Sequence, residues 1–153
     1  MAALLFAWSG CLSHLFFIPG HRFSGVFVGA PFGAVAGWLC TRRARTTLMI
    51  AVLDCIVWYV AYSTAVLFSN GLGEATSMLT GGCIGGLGVI AANAIAGKRW
   101  LSVVALAGGA LVGAVAAVPF AMLAARNGQS PLIPFVVWQA AVGTCLYAYN
   151  EFS

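Results

Sequence analysis

Acidic side chains are almost missing from this chain: Asp54, Glu74 and Glu151 are the only three in 153 residues. All charged residues together make up 7% of the sequence, where an ordinary soluble domain carries about 25%. A folded soluble chain of this length still exposes roughly a third of its unfolded surface, and so few charges cannot cover it. With 62% hydrophobic residues and a mean hydropathy of +1.01, the composition is that of an integral membrane protein, and the lipid bilayer is its first expected partner.

Other absences narrow the chemistry. Only one acid lies inside an apolar run, whereas intramembrane aspartyl proteolysis needs two. The metal-protease, serine-hydrolase and GxGD patterns do not occur. The glycine-rich stretch from Gly81 to Gly88 follows no strand and sits inside an apolar run, so it is no phosphate loop. Without acid-base groups an enzyme is not expected. The five cysteines, Cys11, Cys40, Cys55, Cys83 and Cys145, form no CxxC pair, and one is necessarily unpaired. Neither a disulfide framework nor a redox motif is supported, and they read as small buried hydrophobes. Cys11 and His14 are spaced like the start of a metal site, but His21, Asp54 and Cys55 supply no ligand spacing to complete it, so no metal and no cofactor is expected. The net charge of +4 is confined to short turns and never forms a basic stripe, which excludes a nucleic-acid partner. The first apolar run has no preceding Lys or Arg and no small-x-small cleavage pattern, so it is expected to belong to the fold and not to a cleaved signal.

What the chain does have is apolar runs, at about 2–18, 24–40, 47–69, 77–97, 100–125 and 132–149, against the roughly 20 residues of a spanning helix. Short dividers separate them: 19–22, 41–45, 69–74, 97–99 and 126–131. These runs predict an all-α polytopic membrane helix bundle, one domain over 1–153, with about six short transmembrane helices. The alternative is four spans plus an N-terminal re-entrant or interfacial hairpin, because the first two runs are near the lower length limit. Arg42, Arg43, Arg45, Lys98 and Arg99 lie in the second and fourth connections, and only Arg22 and Arg126 in the odd ones. That bias predicts both termini in the cytoplasm of a bacterial inner membrane, with Glu74 outside.

Gly25, Gly29, Gly33 and Gly37 recur every fourth position in the second run, with Pro31 between them. Such a series makes a flat strip for close helix packing, and the proline a hinge or kink on the other face. The fifth run echoes it with Gly109, Gly113, Ala117 and Pro119, a second hinge. The echo suggests two inverted three-helix halves, 1–69 and 77–153, as in small transporters. The competing pattern is hairpin units, since the glycine-rich second and fourth runs each lead into a basic turn. The fifth helix is the expected partner of the second, and a second copy of the chain is the alternative. Exposed small-residue surface also favours a homo-oligomer or a larger membrane partner.

Polar residues inside the runs complete the reading. Asp54 lies about seven residues, or roughly 10 Å, into the third run. An ionisable residue inside the membrane is a functional candidate by default. Trp58 and Tyr62 follow at steps of four on the same helical face. Gln139 and His14 are the remaining candidates along a path. The expected function is a small permease or channel for an ion or small solute. The alternative is a non-catalytic assembly partner, accessory subunit or immunity-type protein acting through its helix surfaces, with Asp54 and Gln139 as interhelical glue.

Overall fold

In hydrocarbon every backbone N–H and C=O must be bonded within its own segment, so long apolar runs interrupted only by short polar turns become helices. The computed structural model describes residues 1–16, 27–98, 100–124 and 131–152, and every element in them is helical: α1 (Ala2–Leu15), α2 (Gly29–Thr41), α3 (Ala44–Leu72), α4 (Glu74–Gly97), α5 (Val103–Ala116), α6 (Val118–Ala124) and α7 (Leu132–Phe152). They pack as one helix bundle. Helices α5 and α6 are one rod broken at Ala117. The break falls where Pro119 can offer no N–H to the preceding turn.

Four helices are long and apolar enough to cross a membrane, over Ala44–Leu72, Glu74–Gly97, Val103–Leu123 and Leu132–Glu151. Within the described residues α1 has 14 residues and α2 has 13, about 20 Å each, short of a hydrocarbon layer of about 30 Å. Pro31 occupies the first turn of α2, where its missing N–H interrupts no helical bond among the described residues. The proposed kink on the far face therefore has no counterpart there. Gly25, His21 and Arg22 lie outside the described residues, as do Arg99 and Arg126.

The divider expected over 69–74 is not a loop. Helix α3 continues to Leu72 and α4 starts at Glu74, so Gly73 alone turns the chain, at φ 78°. A glycine takes that backbone angle without a Cβ penalty, and extending both helices leaves fewer backbone groups unbonded. The second connection is nearly as tight: Arg42 adopts the left-handed conformation at φ 54° and Arg43 is extended before α3 begins. The Thr41 hydroxyl donates to the Gly37 carbonyl at 2.7 Å and accepts from the Arg43 N–H at 3.3 Å.

The glycine strip of α2 packs on α3, its neighbour in sequence, and not on the fifth helix as its echo suggested. A Cβ on Gly33 would lie 2.6 Å from the Ala51 Cα, one on Gly37 2.6 Å from the Thr47 Cα, and one on Gly29 would strike the Asp54 carbonyl. The two-residue connection holds α2 against α3 and leaves the fifth helix to another partner. Gly109 and Gly113 meet Gly86 and Gly82 of α4 backbone to backbone. The two glycine series thus serve two different hairpin contacts.

Helix α1 lies antiparallel along α7, with Phe6 against Gly143 and Gly10 against Val136. The start of α1, the end of α2, the start of α3, the end of α4 and the end of α7 therefore share one end of the bundle. Asn150 donates to the Cys40 sulfur at 3.2 Å, and Tyr149 donates to the Trp100 carbonyl at 2.9 Å, both at that end. Exposed Arg42, Arg43 and Arg45 lie there, with Lys98 capping α4, while Glu74 is at the opposite end. Between the helices, Phe6, Phe32, Ile50, Ile90, Trp138, Val142 and Leu146 form a buried core.

Candidate functional site

Helix α3 opens at Ala44, three residues before the apolar run does, so its first turn carries Arg45 and Asp54 is its eleventh residue. Ten residues of helix put it about 15 Å from that end of α3. Asp54 is fully buried, and neither carboxyl oxygen has a hydrogen-bond partner among the described residues. Buried polar groups are bonded in the large majority of cases, so an exception calls for an explanation. Gly33 is part of the geometry: a Cβ there would stand 3.0 Å from Asp54 Oδ2, so α2 lies directly beside the carboxyl.

Two more buried atoms without a hydrogen-bond partner lie along the same stretch, Trp58 Nε1 and Thr47 Oγ1. Thr47 is seven residues before Asp54 and Trp58 four after, offsets of about +20° and +40° around a helix. The three side chains therefore share one face of α3 over about 16 Å. Thr47 marks the end nearest the basic turn, and Trp58 the deep end. Tyr62, half-buried, is one turn further along.

The Trp58 ring is fixed by aromatic contacts. It stands edge-on to Trp138 at 4.8 Å and tilted against Phe135 at 5.6 Å. Trp138 in turn donates from Nε1 to the Gly113 carbonyl at 3.1 Å, and Gly85 makes room for its ring. The neighbouring indole of this pair is thus bonded while that of Trp58 is not.

Gln139 is buried too, but it is tied to α1. Ser13 donates to the Val28 carbonyl at 2.7 Å, so its oxygen must accept from the Gln139 amide N–H, also at 2.7 Å. That fixes the amide orientation, and Ser9 then donates to Oε1 at 2.6 Å, with the Phe6 carbonyl also in reach at 2.7 Å. Gln139 acts as an interhelical fastener between α1 and α7, and no bond joins it to Asp54. His14 is half-buried on α1, its ring 6.4 Å from that of Phe135. The structure therefore brings Asp54 and Trp58 together on one face and leaves Gln139 with the serines.

Thr47, Ser9 and Ser13 are the residues that sequence reasoning passed over. The four-residue spacing of the two serines was the available signal. Asn93 is buried; it donates to the Val89 carbonyl at 3.0 Å, while its own Oδ1 has no partner among the described residues.

Chemically, the face offers groups of opposite sense. An indole N–H only donates, whereas a carboxylate only accepts and a carboxylic acid adds one donor. Among the described residues no group of three or more His, Cys, Asp and Glu is placed to hold a metal ion. The α2 glycines are engaged by α3 inside the chain, so a partner docking on that strip would have to displace it. No protein-family model matches the chain, and neither a curated protein nor a solved structure is significantly similar to it.

Proposed function

We propose that the protein is a small membrane permease or channel for an ion or small solute, and that the Thr47, Asp54 and Trp58 face of α3 forms its path. The observation that carries this reading is the buried Asp54 carboxyl with no hydrogen-bond partner among the described residues. A charged Asp inside a spanning helix costs up to about 2.5 to 3.5 kcal/mol on insertion scales, the value at the helix centre. Helix glue would offset that cost through a bond to a neighbouring helix, as Gln139 does through Ser9 and Ser13. Asp54 has no such offset among the described residues, and a path supplies one from what moves along it.

The chemistry of the face favours one class of ion. A species next to both Asp54 and Trp58 must donate to a carboxylate and accept from an indole N–H. Water does both, and so does a proton travelling on water. A bare alkali cation satisfies the carboxylate alone. The proton is accordingly the ion that this face suits best. The excess of Lys and Arg at the end shared by the termini supports a cytoplasmic position for that end in a bacterial inner membrane.

Purified protein in liposomes loaded with a pH-sensitive dye tests the proposal, with a potassium diffusion potential as driving force. The native chain should acidify the lumen, and Asp54→Asn should cut the rate at least tenfold with the detergent-solution mass unchanged. Equal rates for the two proteins, or no flux of protons, sodium or potassium by the native chain, would remove the reading.

A further inference from the structure

A groove of about 910 Å³ lies between α4, α5 and α7 at the end of the bundle that carries the basic turns. Its mouth is formed by Lys98, Trp100 and Ser102, and its apolar depth by Ile90, Gly108 and Cys145. None of the Asp54 face takes part in it. Eight residues of α4 separate Lys98 from Ile90, so the groove reaches about 12 Å into the bundle.

Gly108 is the informative wall residue. A glycine within a helix costs about 1 kcal/mol relative to alanine, and Gly109 and Gly113 offset this by close packing on α4. A Cβ at Gly108 would meet nothing within 4 Å. No helix contact requires this glycine, and what its missing side chain leaves open is the groove wall.

The mouth has the opposite character. Lys98 is the one charged residue among the described residues of the lining. Beside it Ser102 caps the N-terminus of α5, its oxygen accepting from the Ala105 N–H at 3.4 Å, so the helix presents its positive dipole end to the same space. Trp100 is almost fully exposed, as an indole at the boundary between lipid and water would be. Its carbonyl is held by Tyr149 of α7 at 2.9 Å, which fastens the mouth to both sides of the groove.

We propose that this groove is a binding site for an anionic phospholipid, with the phosphate at Lys98 and the α5 N-terminus and an acyl chain along Ile90, Gly108 and Cys145. Charge complementarity selects the head group. The apolar depth selects a lipid over a soluble phosphate, which would leave that depth unfilled. Basic pockets between spanning helices on the cytoplasmic side take anionic head groups for this reason. The site is independent of the proton path and stands whether or not the protein conducts.

Native mass spectrometry of the full chain, delipidated and re-exposed to phosphatidylglycerol or phosphatidylcholine vesicles, tests it. The native chain should retain phosphatidylglycerol in preference. Lys98→Gln should reduce that preference about fivefold, the worth of one basic residue at an anionic surface. Gly108→Leu should abolish retention of both lipids at unchanged helix content, since the added side chain has room at its Cβ and enters the groove. Glycerol phosphate in solution should not compete. Equal retention of the two lipids by the native chain, an undiminished preference in Lys98→Gln, full retention by Gly108→Leu, or displacement by glycerol phosphate would each overturn the proposal.

Discussion

Gly33 of α2 stands so close to Asp54 of α3 that a single added methyl group would come within 3.0 Å of the carboxyl oxygen Oδ2. The glycine strip and the buried acid, two separate features of the sequence, are two sides of one contact. The depth of Asp54 and the tightness of the α2–α3 hairpin are consequently coupled, because any side chain on the strip presses on the segment of α3 that carries the acid.

Gly29→Ala and Gly33→Ala should each destabilise the bundle by about 1 to 3 kcal/mol, the usual range for overpacking a close contact. Gly108→Ala, with open space around its Cβ, should be neutral or raise stability by up to about 1 kcal/mol. Unfolding in mixed detergent micelles measures all three. Equal behaviour of the three variants would show that the α2–α3 approach is not as close as described.

Asp54→Leu separates a path residue from helix glue. With no protein hydrogen bond to lose, the variant should unfold at the same or a higher denaturant concentration than the native chain, because a buried polar group without a partner is itself a cost. A loss of more than about 2 kcal/mol in the same assay would indicate a bonded Asp54.

The two tryptophans should respond differently to loss of their N–H. Trp138→Phe removes a hydrogen bond to the Gly113 carbonyl and should cost about 1 kcal/mol. Trp58→Phe removes a donor that has no acceptor among the described residues, so stability should hold while proton flux falls. If Trp58→Phe proved the more destabilising, its N–H would have a protein partner after all.

Within the α1–α7 fastener, Ser13→Ala should be worse than Gln139→Met. The serine substitution leaves a buried Gln139 amide N–H without its acceptor, at about 1 to 3 kcal/mol. After Gln139→Met both serines keep backbone acceptors, Phe6 and Val28, and the loss should be near the 0.6 kcal/mol average for interhelical bonds in a membrane. Thermal unfolding of the two variants in one detergent gives the order.

Legibility in the sequence followed the range of each interaction. The helices were readable because backbone bonding in an apolar run is local. The shared end of the basic turns followed from short connections, which force neighbours antiparallel. Asp54 was conspicuous by its charge alone, and Trp58 by its spacing. The run from Ser69 to Glu74 misled because Asn70 and Gly71 are turn formers in water, yet here the helix continues through them. Gln139 was visible as a buried polar residue, but its serine partners lie about 130 positions away and nothing local named them.

The sequence by itself determined that this is an all-helical, apolar chain with one acid deep inside a run, since hydropathy and backbone bonding act residue by residue. Only the tertiary structure decided which surfaces the glycines hold together. A helical strip of small residues is equally smooth for any neighbour, and the choice of α3 for α2 and of α4 for α5 was made by connection length and by the shape of the facing helix. The same packing left the acid without a partner among the described residues, a property of the bundle that belongs to no single stretch of the chain.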